Sequence, residues 1–196
     1  PPDGDNHGRA FAHVVTGPNA GHTWELPRVG QISFENVLVS PFGQGKTVVM
    51  LMDDAKENKD RTVRSELYMY VGDKTDSGTE IERAGLTLGL LYGAILENQD
   101  KPVAGEQDKS GYVAAAPPVY SARVRWHLFG KVPNLDGNAL QAISIADGVT
   151  SFLRIEDGVW DPRPGHERDF YFATTAAFDK NSRLHRLRFD DITQPE

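Results

Sequence analysis

The chain has 196 residues, of which 39% are hydrophobic and 25% charged. That composition suits one globular domain with a real core and excludes disorder. The net charge of −7 and the absence of cysteine exclude an electrostatic case for nucleic acid or an anionic membrane, together with disulfides, thiolate zinc sites and thiol catalysis.

Nineteen glycines and twelve prolines, with aromatics spread along the chain, favour many short strands joined by turns. No apolar run is long enough to span a bilayer. Pro1 is a poor natural start, and we expect that an N-terminal segment has been removed.

Residues 1–6 read as a loop, and residues 9–15 alternate as a strand. A turn cluster at 17–21 leads to a short strand at 23–26, and the next strand runs over 32–39. Residues 47–52 are continuously apolar and β-branched at their start, the pattern of a strand buried on both faces. A charged loop through Asp60 separates it from a strand at 66–71, and the two are expected to pair as an antiparallel hairpin. Residues 75–86 are polar, 88–96 form a glycine-broken strand, and 99–112 form a loop. Residues 122–129 alternate and read as a half-buried strand. Residues 139–146 suit a short helix with Asn138 as its N-cap. A strand is expected at 152–155, and a hairpin joins 168–175 to 183–189 across 179–181. This spacing points to an all-β sandwich or propeller with at most two short helices. A propeller needs more blades than 196 residues supply, so residues 1–196 read as one segment of a longer chain.

Three acidic groups are candidate cation sites. Glu35 shares a strand face with Val37 and Val39, where a carboxylate needs a partner: a cation, an arginine or a backbone donor. Asp53 and Asp54 end a buried strand side by side, with Glu66 opening the partner strand opposite; like charges so placed call for a cation or strong donors, although a turn that uses aspartate for its Asx bonds reads the same way. The stretch Ile155 to Pro162 offers Glu156 and Asp157 beside Gly158, and then Asp161, as oxygen ligands of the kind calcium accepts, although an ordinary glycine turn reads the same way. Arg154, Arg163 and Arg168 flank it and could serve an anion or simply face water. The six histidines lack zinc-helix spacing. Residues 43–47 resemble the end of a phosphate-binding loop, but they lack the earlier glycine and lead into a strand.

Phe34-Glu35-Asn36, Met52-Asp53-Asp54, the aromatic strand at 67–71 and the run from Glu156 to Pro162 resemble the PhoX-type alkaline phosphatases over most of residues 8–190. That resemblance implies an exported bacterial protein, secreted or periplasmic, built as a six-bladed β-propeller and acting as a metal-dependent phosphoric monoester hydrolase. It implies calcium and, in the true phosphatases, iron. Carried over by position, Glu35 is the best match to a metal-ligating glutamate, and Asp53, Asp54, Glu156 and Asp157 are looser matches. The phosphatases use a cysteine ligand to iron, which this chain lacks. The expected partners are a phosphate ester and the remaining blades. The alternatives are a non-catalytic, calcium-stabilised extracellular propeller and a metal-free β-sandwich binding module.

Overall fold

The computed structural model describes residues 8–42, 45–55, 64–97, 121–130, 132–133, 135–175, 182–192 and 194. The loops expected at 1–6, 56–60 and 99–112, and the hairpin turn at 179–181, lie outside the described residues.

Strands dominate. In chain order they are β1 (Phe11–His13), β2 (Thr23–Glu25), β3 (Phe34–Val39), β4 (Lys46–Asp53), β5 (Ser65–Asp73), β6 (Leu90–Glu97), β7 (Arg123–Gly130), β8 (Ser151–Phe152), β9 (Ile155–Trp160), β10 (Asp169–Thr174) and β11 (Arg183–Arg188). Among the described residues two α-helices interrupt them, α1 (Glu80–Arg83) and α2 (Gly137–Ala146), with one 3-10 turn at Pro27–Val29. Strands β3 to β7 form an antiparallel meander, and β8 pairs with the first residues of β5. A second antiparallel sheet has the order β11-β10-β9, and β1 pairs with β2. The fold is all-β, as the spacing of short apolar runs indicated.

The expected hairpins form, β4 with β5 and β10 with β11, with Val49 opposite Tyr70 and Leu51 opposite Tyr68 in the first. The continuous apolar run of β4 is explained by two cores. Val48, Met50 and Met52 point into one, with Leu67, Met69 and Val71 of β5 beside them. The three-stranded sheet closes that core with Trp160, Phe170, Phe172 and Leu187. Val49, Leu51, Tyr68 and Tyr70 point the other way, into a core closed by Leu26, Val29, Ile32 and Leu140 of α2. Alternation along a strand sends successive side chains to opposite faces, so a strand between two cores has no polar face to show.

Three local readings are corrected. Helix α2 is capped by Asp136, whose side chain accepts a hydrogen bond from the Ala139 N–H at 2.8 Å, so Asn138 lies inside the first turn. The polar stretch around Gly78 contains α1, closed by a Thr79/Glu82 capping box. Residues 155–160, which read as ligands on a bent backbone, are strand β9. Gly158 is there because the space is taken: a Cβ on it would lie 2.8 Å from the Phe170 ring and 3.0 Å from Met52 Sδ.

Side-chain bonds join the two sheets along β3 and β9. Asn36 Nδ2 donates to Asp157 Oδ1 at 2.8 Å, and Trp160 Nε1 donates to the Leu38 carbonyl at 3.2 Å. The strands therefore run side by side in the same direction. Their first residues, the last residues of β4 and the first of β5 all come to one end of the molecule, and the β9–β10 connection lies at the other.

Candidate functional site

The shared end carries all five residues singled out from the sequence, in two separate groups. Glu35, Asp54, Glu156 and Asp157 lie close enough that the charges of the last three act on Glu35. Asp53 points the other way, into the core under α2.

Glu35 is placed by a bulge. Phe34 faces Asp53 and Asn36 faces Met52, so Glu35 is the extra residue between two consecutive partners. The bulge also switches faces: Phe34 packs on the core beneath α2, whereas Leu38 packs on the core beneath the three-stranded sheet. The face that Val37 and Val39 share is open, at 39% and 54% exposure, and Glu35 is exposed too. The premise that Glu35 is a carboxylate on a buried apolar face is thus corrected, because β3 is an edge strand that only β4 pairs with among the described residues. Partial burial, followed by the charges of Asp54, Glu156 and Asp157, still pushes the Glu35 carboxyl above its ordinary value, and Arg154 pulls against them.

Arg154 sits among these acids. Its Nε and Nη2 donate to the two oxygens of Asp54 at 3.0 and 2.8 Å, and Nη2 also lies 2.8 Å from Glu156 Oε1. Glu156 Oε1 further accepts from Thr175 Oγ1 at 2.7 Å. The Arg154 backbone has φ 60°, the one positive φ at a non-glycine among the described residues. An arginine there carries a cost that a residue in the usual region would not. The Thr175 N–H, bonded to the Arg154 carbonyl at 3.0 Å, holds it in that conformation. The donor set is oxygen only, which fits a hard cation such as calcium. Arg154 already engages Asp54 and Glu156, which leaves Glu35 and the second oxygen of Asp157 facing solvent.

The buried group is different in kind. Asp53 and Glu66 are 1% and 0% exposed and sit on adjacent strands, one step beyond the Met52–Leu67 pair. The Ala55 N–H reaches Asp53 Oδ1 at 3.2 Å, and the Ser33 N–H also donates to Asp53. Gln141 Nε2 of α2 donates to Glu66 Oε1 at 2.7 Å, and the Arg64 N–H donates to Gln141 Oε1 at 3.1 Å. Glu66 Oε2 has no hydrogen-bond partner. Burial and the Glu66 charge push Asp53 well up, and burial pushes Glu66 up to about 8 against the Gln141 bond and the Arg64 charge. Tyr68, next on that face of β5, is raised by burial and by both acids, and its hydroxyl lies 2.8 Å from Ser144 Oγ.

A third cluster, at the opposite end of β9, was not assembled from the sequence. Asp161, His166 and Asp169 bring ligand atoms within 4.8 Å of one another. Asp161 belongs to the acidic run, but its neighbours come from the next turn. Both carboxylates are buried and both are matched by arginines: Arg163 Nη2 lies 2.6 Å from Asp161 Oδ2, and Arg188 Nε and Nη2 lie 2.6 Å from the two oxygens of Asp169. His166 Nδ1 is 3.3 Å from Asp169 Oδ2. The Arg188 fork and the His166 contact hold Asp169 below the usual carboxylate range, and Arg163 does the same for Asp161. The signal that could have found this cluster is the Asp-Pro-Arg-Pro-Gly-His run, whose prolines and glycine fold the chain back on itself. Arg168, the third flanking arginine, donates Nη1 to the Asp190 carbonyl at 2.8 Å.

No family model and no curated protein matches the chain in sequence. Among solved structures it is similar to Pseudomonas fluorescens PhoX in complex with vanadate, a transition state analogue, with a TM-score of 0.56 and 16% identity. The match covers 88% of this chain and 31% of that one, so this chain spans about a third of the length of the protein it matches. The likeness is one of fold: these sheets are part of a β-propeller. No helix among the described residues is long and apolar enough to cross a membrane.

Proposed function

We propose that this chain is part of a metal-dependent phosphoric monoester hydrolase, or of a close relative, exported and built on a propeller. Its solvent-facing carboxylates Glu35, Asp54, Glu156 and Asp157 hold calcium. One observation carries the reading: four carboxylates from β3, the end of β4 and β9 lie at one end of the molecule, within range of one another's charge and beside one arginine. The likeness in fold to a PhoX structure holding vanadate, a transition state analogue, supports the class of chemistry. When bound, calcium would offset charge on phosphoryl oxygens. The chain's own residues do the rest. Glu35 and Asp157 present free oxygens, Asn36 orients Asp157, and Thr175 orients Glu156. Arg154 supplies a fixed positive charge and a planar donor fork, the group best suited to a phosphate. Iron would need ligands from elsewhere in the protein, since thiolate is absent here.

A second reading rests on the Arg154–Asp54 fork. If that fork is the permanent counter-charge of the cluster, the protein is a non-catalytic propeller that presents this face for binding.

The test uses the intact protein, comparing wild type with Glu35→Gln. The proposal expects hydrolysis of a generic aryl phosphate by wild type, and loss of both rate and calcium per chain in the variant. Equal calcium content in the two would remove Glu35 from the site, and absence of hydrolysis with calcium retained would favour the second reading.

A further inference from the structure

Two donors in one short stretch of the chain are left without acceptors. Among the described residues, Trp24 Nε1 on β2 and Arg28 Nη1 in the 3-10 turn that follows are buried atoms with no hydrogen-bond partner. Taken whole, both side chains are half-buried, so they stand at the rim of a core and not inside it. That core is the one beneath α2. Leu26 and Val29, interleaved with them in sequence, pack in it, and the Arg28 charge is felt at the Tyr70 hydroxyl. The hydroxyl is already bonded, accepting from the Gly89 N–H at 2.9 Å and donating to the Gly85 carbonyl at 2.8 Å. The neighbouring acids are engaged as well: Arg9 Nη1 lies 2.8 Å from Glu25 Oε1, and Lys46 Nζ lies 3.6 Å from Asp73 Oδ1. Guanidinium and indole N–H groups donate and never accept, and a buried donor left unmade is both costly and rare.

We propose that Arg28 and Trp24 bind an oxyanion, a carboxylate or phosphate group, at the rim of the core beneath α2. Two groups that cannot accept need an acceptor, and the fixed charge of one of them favours a negative one. The guanidinium offers a planar fork to such a group, and the indole N–H adds a neutral donor. The partial exposure of both side chains leaves the anion a way in from solvent. The site is separate from the open acidic cluster. Tyr70, which feels the Arg28 charge, lies four residues along β5 from Glu66, about 13 Å at the rise of a strand. The inference does not rest on the proposed catalytic function.

The experiment titrates the intact protein with sodium phosphate and, separately, with sodium acetate, at an ionic strength held constant with chloride. The readout is the indole N–H signal of Trp24 in a nitrogen–proton correlation spectrum, identified by its loss in Trp24→Phe. The expected result is a saturable shift of that signal in wild type and in Arg154→Gln. In Arg28→Met and Arg28→Gln the affinity should fall roughly 10-fold or more, the loss of one charge-assisted hydrogen bond. Arg28→Met keeps the apolar stem and removes a donor that has no partner, so the fold should persist. The anion that saturates at the lower concentration identifies the oxyanion class. A Trp24 signal unmoved by both anions in wild type would overturn the proposal and leave water as the partner of both donors. Equal binding in wild type and in both Arg28 variants would overturn it too. So would a shift that is lost in Arg154→Gln and kept in Arg28→Met, because the anion would then sit at the open cluster.

Discussion

The two ends of β9 are both rich in buried or half-buried acid, yet they differ in how the charge is matched. At the Asp161–Asp169 end each carboxylate has its own guanidinium at 2.6 Å, and both acids titrate low. At the other end a single guanidinium serves Asp54 and Glu156, Glu35 is pushed up, and, among the described residues, Asp53 and Glu66 accept from neutral N–H donors with the charge of Arg64 nearby. Counting acids does not distinguish the ends, but counting donors against acids does. The saturated end is a structural staple. At the other end, among the described residues, acids outnumber the guanidinium groups that reach them.

That contrast can be broken in three ways. The largest effect concerns Glu66 in chelator. Its folded value is about 8 against an ordinary 4.5, so the folded state holds a proton that the unfolded state has released between those limits. Stability from this group is complete below about pH 4.5, falls as pH rises, and is gone above about 8, a loss on the order of 5 kcal/mol. Urea melts from pH 4.5 to 8.5 measure it, and a flat or rising profile would show that the pair is matched internally. Next, Arg188→Ala removes the fork from fully buried Asp169 and should lower the melting temperature by several degrees without changing calcium content. A change in bound calcium would mean that this end holds metal as well. Smallest is Glu35→Gln in chelator. With three acids pushing Glu35 up, removing its charge should stabilise slightly, within about 0.5 kcal/mol by thermal melting. A marked loss of stability would show that Glu35 is a structural partner.

The hairpins and the meander were legible because a continuous apolar run such as β4 has few other readings, and because Leu67 to Val71 supplied its aromatic partner. Strand β9 was hidden by its composition. Glu156, Asp157 and Gly158 look like a turn, and the reason for glycine there, the Phe170 ring and Met52 sulfur against its Cα, comes from segments distant in sequence. The bulge at Glu35 is invisible to alternation because it is what interrupts alternation. The opposition of Asp53 and Glu66 could be read from the hairpin. Gln141, from α2, could not, and neither could the left-handed Arg154 at the centre of the open cluster.

Because β4 and β5 send alternate side chains into both cores, the hairpin is a party wall with no free side. Loosening either core removes support from the same two strands, so the halves of this structure cannot melt one after the other. A lesion at the wall's end, where Asp53 and Glu66 meet, acts on the cooperativity of the whole and not on one layer.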